Sequence, residues 1–284
     1  MNTNKVALRT VEEFMSDYTP VYQPLYPLFL GKSQAWSEEV GKIDFKRVET
    51  VGDIRAKHVT PKDTEIRQIA VGEAKKSFKK YFLANQFTLS ALQDREGVED
   101  VIAQVLDEHQ KHADELFLTG ESVNNGLFTS SDSNYVLKSS SELAKGTAAD
   151  HLAAMHAAIV GQKAEADAVA GRKAVIVYGA TAIAKLNAVY ASQPVPFKRV
   201  LAEVLGPNYS LVEMPSAVTP SSSNGWIIAN LDQCKLNYTA LPSLKAQGVN
   251  EEKMYAWFNF LMGSMMLEVQ ASGGVIRQPV TFEA

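Results

Sequence analysis

The feature that most constrains the fold of this chain is a long amphipathic stretch that begins at Asp94 and ends before Gly120. Its apolar residues recur at steps that place them on one face of an α-helix of about six turns. They are Val98, Val101, Ile102, Val105, Leu106, Ala113, Leu116 and Phe117. Acidic residues crowd the first turns, where the helix dipole favours anions, and the glycine is a C-terminal stop signal. The sequence therefore predicts a helix with one face in a core.

A predicted turn and two apolar residues follow this helix. Asn124, Asn125 and Gly126 are residue types that tolerate positive φ, so they indicate a turn. Leu127 and Phe128 come directly after it, and we expect them to bring the chain back to the core.

The helix end ADELFLTG, followed a few residues later by NGLFT, resembles the spine helix and following loop of tailed-bacteriophage major capsid proteins. Those proteins share the Hong Kong 97-type fold with encapsulins. The resemblance implies an α+β fold with an N-terminal arm, an extended β-hairpin loop, a peripheral domain containing the spine helix, and an α/β axial domain. The order of elements along the chain, more than any single motif, carries the resemblance.

Composition narrows the function classes. The chain has 284 residues, 46% of them hydrophobic, so it can bury a substantial core. A formal charge of −4 provides no general basic field, which argues against wholesale wrapping of nucleic acid. Cys234 is the single cysteine, so the chain has no internal disulfide and no four-cysteine zinc site. The start is too charged for a secretory signal, and we expect a soluble protein made in the cytoplasm.

Residues 1–45 combine prolines with several aromatic residues. Pro20, Pro24 and Pro27 forbid a regular helix, while the neighbouring tyrosines, Phe29 and Trp36 need a surface to cover them. We expect an arm that contacts a neighbouring subunit through residues 22–36. A strap packed on its own domain is the alternative.

Residues 43–89 alternate apolar and polar side chains in two runs, with turn chemistry between them at residues 60–63. The interleaved charges predict a polar two-stranded ribbon, which would be only marginally stable without a packing partner. The resemblance implies that this ribbon, over residues 48–82, crosses an adjacent subunit. Its lysines are interpreted as a solvated face, with a phosphate-binding patch as the alternative. These are Lys75, Lys76, Lys79 and Lys80.

The region after the Ser-rich segment at 130–146, which reads as a loop and boundary, alternates helices and strands. The pattern predicts a helix over 148–170, a buried strand at KAVIVYG, helices after Gly179 and from Pro196 to Gly206, and strands at YSLVEMP, GWIIANL and CKLNYTAL. This alternation favours an α/β unit of about a hundred residues.

The C-terminal segment is apolar and aromatic up to Gln270, then continues after a Ser-Gly-Gly turn as VIRQPVTF. We expect a hairpin of two buried strands, and the resemblance implies a closing strand beside the spine helix. The resulting division is an arm at 1–45, an extended loop at 46–90, a peripheral domain at 91–146, an axial domain at 147–249 and peripheral return strands at 250–284.

The residues that could form a catalytic or metal site match the known motifs poorly. His109 and His112 on the long helix lack the spacing of a zinc-protease motif and a third ligand, so we interpret them as part of a solvated polar face with Glu108 and Glu115. His151 and His156 lie five residues apart, about 140° around a helix, which makes them poor co-ligands.

Strand, glycine and helix follow one another at VIVYGATAIAKL, as they do in nucleotide sites. Only Gly179 is present where phosphate cradles use several glycines, and Lys185 does not fit the P-loop spacing, so an ordinary turn is favoured. Cys234 and the methionines at 262, 265 and 266 are interpreted as core residues. We assign no catalytic, cofactor-binding or metal-binding residue and expect no enzyme activity.

The resemblance favours a major capsid protein that assembles through pentamers and hexamers into an icosahedral shell around double-stranded DNA. Other copies of the chain are the expected partners, with scaffolding, portal and decoration proteins as further ones, and the virion as its location. An encapsulin-like compartment is one alternative. An α/β nucleotide-binding enzyme centred on Gly179 is the alternative from another class.

Overall fold

The structure is a computed structural model that describes residues 21–35, 42–45, 57–58, 74–77, 80–88, 95–120, 126–129, 134–143, 147–189, 194–218, 223–238, 241, 243–250, 255–263 and 265–282. It is a mixed α+β structure with two compact units. Unit 1 comprises Met1–Pro24, Gln34–Phe128 and Asn237–Met266, and unit 2 comprises Leu25–Ser33, Thr129–Leu236 and Leu267–Ala284. The five-part division made from the sequence stays a prediction.

Helix α1 (Arg95–Thr119) dominates unit 1 and confirms the predicted helix. Its apolar face is buried as expected at Leu106, Ala113, Leu116 and Phe117. Gly120 ends the helix with φ 70° and donates its N–H to the Leu116 carbonyl at 2.8 Å. The side chains of the earlier apolar positions lie outside the described part of the structure.

The segment after α1 returns to the helix end. The Leu127 N–H donates to the Phe117 carbonyl at 2.9 Å, and Leu127 is fully buried, which confirms the predicted anchor. Asn124 and Asn125 lie outside the described residues. A Cβ on Gly126 would be 2.3 Å from the Gly120 nitrogen, so the close passage of the two backbone segments requires glycine there.

The strands of unit 1 differ from the predicted two-stranded ribbon. Strands β2 (Lys42–Phe45), β3 (Lys57–His58) and β4 (Ala74–Ser77) form an antiparallel sheet in the order β3-β2-β4. Strand β5 (Lys80–Thr88) instead pairs with β13 (Tyr255–Gly263), which also pairs with β12 (Ser243–Asn250). Nine consecutive residues of β5 oppose β13. This long ladder gives β5 the partner that an isolated ribbon would lack.

The turn predicted at 60–63 and the side chains of the four ribbon lysines lie outside the described residues. A further three-stranded sheet has the order β1-β11-β14. Its strands are β1 (Gln34–Ala35), β11 (Cys234–Tyr238) and β14 (Met265–Val269). Met265 and Met266 are buried, which confirms their assignment as core residues.

Unit 2 contains a short 3-10 helix, Tyr26–Lys32, with Pro27 in its first turn. Leu25, Tyr26 and Phe29 are at most 5% exposed within the single chain. The expectation that a neighbouring subunit covers this part of residues 22–36 is therefore wrong for Leu25, Tyr26 and Phe29. They form the alternative, a strap on their own chain, because burial of their apolar surface is already complete.

The main sheet of unit 2 has the order β6-β15-β10-β8-β9, with β7 also pairing to β15. Its strands are β6 (Tyr135–Leu137), β7 (Ser141–Leu143), β8 (Lys173–Tyr178), β9 (Tyr209–Glu213), β10 (Asn224–Asn230) and β15 (Val275–Phe282). Strand β10 lies antiparallel to both β8 and β15, whereas β9 is parallel to β8. The predicted strands at YSLVEMP, GWIIANL and CKLNYTAL are confirmed.

Two predictions fail in this sheet. The Ser-rich segment is not only a loop, because β6 and β7 each pair in parallel with β15. The C-terminal hairpin is also wrong, since β14 pairs with β11 while β15 pairs with β10, β6 and β7. Local sequence could not decide either pairing, because β15 finds its partners more than forty residues away in the chain.

Three helices cover a face of this sheet: α2 (Ala148–Asp167), α3 (Ala180–Asn187) and α4 (Phe197–Leu205). They confirm the predicted helices, with Thr147 and Asp150 forming a capping box at the start of α2. The shared core contains Leu152, Met155 and Ile159 of α2, Leu186 of α3, Phe197, Leu201 and Leu205 of α4, and Val175, Val177, Trp226, Ile228 and Ile276 of the strands.

The two glycines Gly126 and Gly161 form a matched pair for a stability test. Gly126→Ala places a methyl group against backbone, and we expect a loss of about 1–3 kcal/mol in the free energy of unfolding. Gly161 lies exposed inside α2 with open space around its Cα, so Gly161→Ala should gain about 0.5–1 kcal/mol. Chemical denaturation measures both, and equal effects of the two changes would contradict the close approach at Gly126.

Candidate functional site

The turn between β8 and α3 is the candidate ligand site, because a strand followed by glycine and a helix N-terminus is a common phosphate-binding arrangement. Gly179 is buried and has φ 90°, a conformation that side-chain-bearing residues rarely adopt. A Cβ at this position would meet the Asn224 Oδ1 atom at 2.4 Å and the Ser223 carbonyl oxygen at 2.5 Å. The glycine thus admits the chain's own β10 segment, in the place where a ligand would sit.

Asn224 occupies the helix N-terminus directly. Its Oδ1 atom accepts hydrogen bonds from the backbone N–H groups of Thr181 and Ala182, at 3.1 and 3.2 Å. These are two of the amide donors that an anion would need at the start of α3. The side-chain carbonyl satisfies them internally, which supports the interpretation of this segment as an ordinary turn.

Sequence reasoning missed Asn224. It lies 43 residues after Thr181, so the contact exists only because β10 pairs with β8 and brings its first residue beside the turn. The available signal was weak, since an asparagine next to a glycine ordinarily marks a turn.

The two histidines of α1 differ in exposure. His109 is buried and His112 is exposed, so the interpretation of both as a solvated face is wrong for His109. The His112 Nδ1 atom lies 3.2 Å from the Glu115 Oε2 atom. No group of three or more His, Cys, Asp or Glu in the described part of the chain is arranged to hold a metal ion.

His151 and His156, five residues apart on α2, have different neighbours. His151 is buried, with its Nδ1 atom 2.9 Å from the Nζ atom of Lys185 in α3 and its ring 5.9 Å from that of Phe282. His156 instead packs its ring 6.2 Å from Phe197. Both contacts lie within the packing of unit 2 around α2.

Cys234 is fully buried in β11, which confirms its assignment as a core residue. Burial disfavours the thiolate and raises the pKa of the thiol to about 12. The thiol points to the Gly274 carbonyl oxygen, 3.9 Å away. A nucleophilic role needs a lowered pKa and access, and this thiol has neither.

A contact that the sequence did not indicate joins Tyr22 to α1. The Tyr22 hydroxyl donates to the Asp114 Oδ2 atom at 2.8 Å, and Asp114 is fully buried. Burial, together with the neighbouring carboxylate, raises the pKa of Tyr22, so the hydroxyl keeps its proton and remains a donor. This bond holds the chain at Tyr22 against α1.

Comparison with solved structures identifies the fold. The structure is similar to the virus-like particle from Pyrococcus furiosus, with 10% identity over 97% of both chains and a TM-score of 0.57. It is also similar to the capsid of Myoviridae phage XM1, with 11% identity over 94% of this chain and 95% of that one, at a TM-score of 0.58.

The capsid of an empty GTA particle matches with 12% identity over 94% of each chain, at a TM-score of 0.52. The chain has the fold of phage capsid proteins. The predicted fold is thus confirmed at the level of a mixed α+β chain of capsid type. No protein-family model matches the chain, and neither does any curated protein. Among the described helices, none is long and apolar enough to cross a bilayer.

The cap on α3 can be tested by two substitutions at Asn224. Asn224→Ala removes the acceptor for two helix amides, and we expect a loss of about 1 kcal/mol in the free energy of unfolding. Asn224→Asp retains an acceptor oxygen and should remain near the wild-type stability. Denaturant titration measures the difference, and a neutral Asn224→Ala would show that the cap contributes little.

The thiol of Cys234 offers a second test. At about pH 8 the folded protein should leave a thiol reagent unreacted, because burial excludes the reagent and holds the group protonated. In guanidinium chloride the same thiol should react fully. Rapid labelling of the folded protein would contradict the buried position.

Proposed function

We propose that this chain is the major capsid protein of a tailed phage, which assembles through pentamers and hexamers into an icosahedral shell enclosing double-stranded DNA. The observation that carries the proposal is the fold likeness to the phage XM1 capsid over nearly the whole chain, at a TM-score of 0.58. The likeness to the GTA capsid supports it independently. The internal cap on α3 supports a structural role over nucleotide chemistry, because the amides of Thr181 and Ala182 are already satisfied.

The finer assignments follow the resemblance. We assign α1 as the spine helix, residues 46–90 to the extended loop that crosses an adjacent subunit, and residues 147–249 to the axial domain. The loop near Pro215 to Gly225 approaches the axis of the capsomer. Within the N-terminal arm, the strap at residues 25–33 stays on its own chain, so the contacts to a neighbour fall to other parts of the arm.

The partners follow from the same proposal. Copies of this chain form the shell in the host cytoplasm and later the virion, together with scaffolding, portal and decoration proteins. The enclosed DNA is confined by the shell without sequence-specific contacts, and the net charge of −4 gives no general basic field to grip its phosphates. No reaction is assigned to the chain.

An encapsulin-like compartment is a second candidate, supported by the likeness to the virus-like particle at a TM-score of 0.57. Both candidates are closed shells of one repeated chain, and they differ in contents. The phage proposal is favoured because the phage XM1 capsid and the GTA capsid each match over 94% of this chain, at TM-scores of 0.58 and 0.52.

The decisive experiment is size-exclusion chromatography with negative-stain electron microscopy of the protein expressed alone and with a co-expressed scaffold. We expect closed particles or tubes, because repeated heterologous contacts form a closed assembly when the rotation between subunits closes.

Deleting residues 56–65 should leave soluble subunits or capsomers that cannot form a closed shell. A monomer or dimer under every condition would overturn the proposal. A nucleotide-dependent rise in melting temperature would then favour the enzyme alternative.

A further inference from the structure

Helix α4 carries more apolar surface than unit 2 covers. Phe197, Leu201 and Leu205 form its buried face at steps of four residues. A second row at the same spacing flanks that face, formed by Pro196, Val200 and Val204. Pro196 is exposed, Val200 is half-buried, and the side chain of Val204 remains 46% exposed.

Val189 extends this row at one end. It forms an isolated antiparallel bridge with Pro196 and is 62% exposed. The row from Pro196 to Val204 spans about 12 Å of helix. We call the four residues Val189, Pro196, Val200 and Val204 the α4 stripe.

The stripe is unusual within the described part of the chain. The exposed large hydrophobic residues in the described part of the chain are Val21, Leu137, Val189 and Val204, so two of the four belong to the stripe. A single exposed valine needs no explanation. An apolar row that continues over two turns of a helix and the adjoining bridge is instead typical of a surface that another protein covers.

The charges around the stripe select the kind of partner. Arg199 pairs with Glu203 at 3.4 Å, and Lys198 pairs with Glu213 of β9 at 3.7 Å. Two basic and two acidic groups give this rim no net charge. A polyanion such as DNA, or an anionic lipid surface, needs an excess of basic groups, which the rim lacks. A second copy of the chain presents the same balanced set, and its acids and bases can meet those of the first.

We propose that the α4 stripe is a contact between subunits, covered in the assembled particle by a second copy of this chain. The inference rests on the proposed shell function and adds to it a named surface. The stripe alone is smaller than a standard interface of about 800 Å² per partner, so it serves as the apolar centre of a larger contact whose rim is the paired charges.

Thiol protection tests the contact directly. Cys234 is the single cysteine and is buried, so labelling of a Val204→Cys variant reports on the thiol at position 204. Ala202→Cys is the matched control, since Ala202 is exposed on α4 roughly 200° around the helix from Val204. Both thiols should react in dissociated subunits. In particles assembled from purified subunits alone, labelling of Val204→Cys should be lost and labelling of Ala202→Cys retained.

A charge substitution tests whether assembly needs the stripe. Val204→Glu should abolish particles, while Ala202→Glu should leave them, and both variants should keep the wild-type circular dichroism spectrum and melting temperature as subunits. Particles from Val204→Glu in wild-type yield, with both introduced thiols labelled equally, would overturn the stripe proposal and leave the shell function intact. Absence of particles from the wild type and from the Ala202 controls, both alone and with a co-expressed scaffold, would instead overturn the shell function.

Discussion

Unit 2 depends on the complete burial of strand β8. All six of its residues, Lys173–Tyr178, are buried, so the strand must be covered on both faces and paired along both edges. Strands β9 and β10 supply the edge pairing. The helices α2, α3 and α4 supply one covering layer, in which Val175 and Val177 contact the shared core. Removing water from this core is the main favourable contribution to the stability of the unit.

A chain of partly buried polar groups gives that core a specific arrangement. The Trp226 Nε1–H donates to Gln162 at 2.8 Å, and the Gln162 amide donates to Gln278 at 2.9 Å. Gln278 in turn donates to the Ser139 carbonyl at 2.9 Å. Each donor would be costly if left unpaired, so helix α2 must sit where Gln162 can form both of its bonds. Apolar packing alone would tolerate several positions of the helix.

Hydrogen bonds within the protein also explain why the turn at Gly179, the motif most like a ligand site, has a structural role. A glycine between a buried strand and a helix can admit either a phosphate or another part of the protein. Here the neighbouring strand places Asn224 at the helix amides, and the glycine is needed for the passage of its backbone.

The local elements of this protein could be predicted from the sequence. Helices α1 and α2, the buried strand β8, the stop at Gly120 and the core position of Cys234 all follow from periodicity, glycine chemistry and apolar runs within a short window. Their order along the chain also sufficed for the resemblance to capsid proteins.

The tertiary structure alone decided which elements meet. The pairing of β5 with β13, the partners of β15, the burial of His109 and the strap around Phe29 depend on contacts between residues far apart in sequence. Periodicity states that a face must be buried, but it does not state which surface covers it. That choice is made when all apolar faces and backbone hydrogen bonds are satisfied together, which is a property of the whole fold.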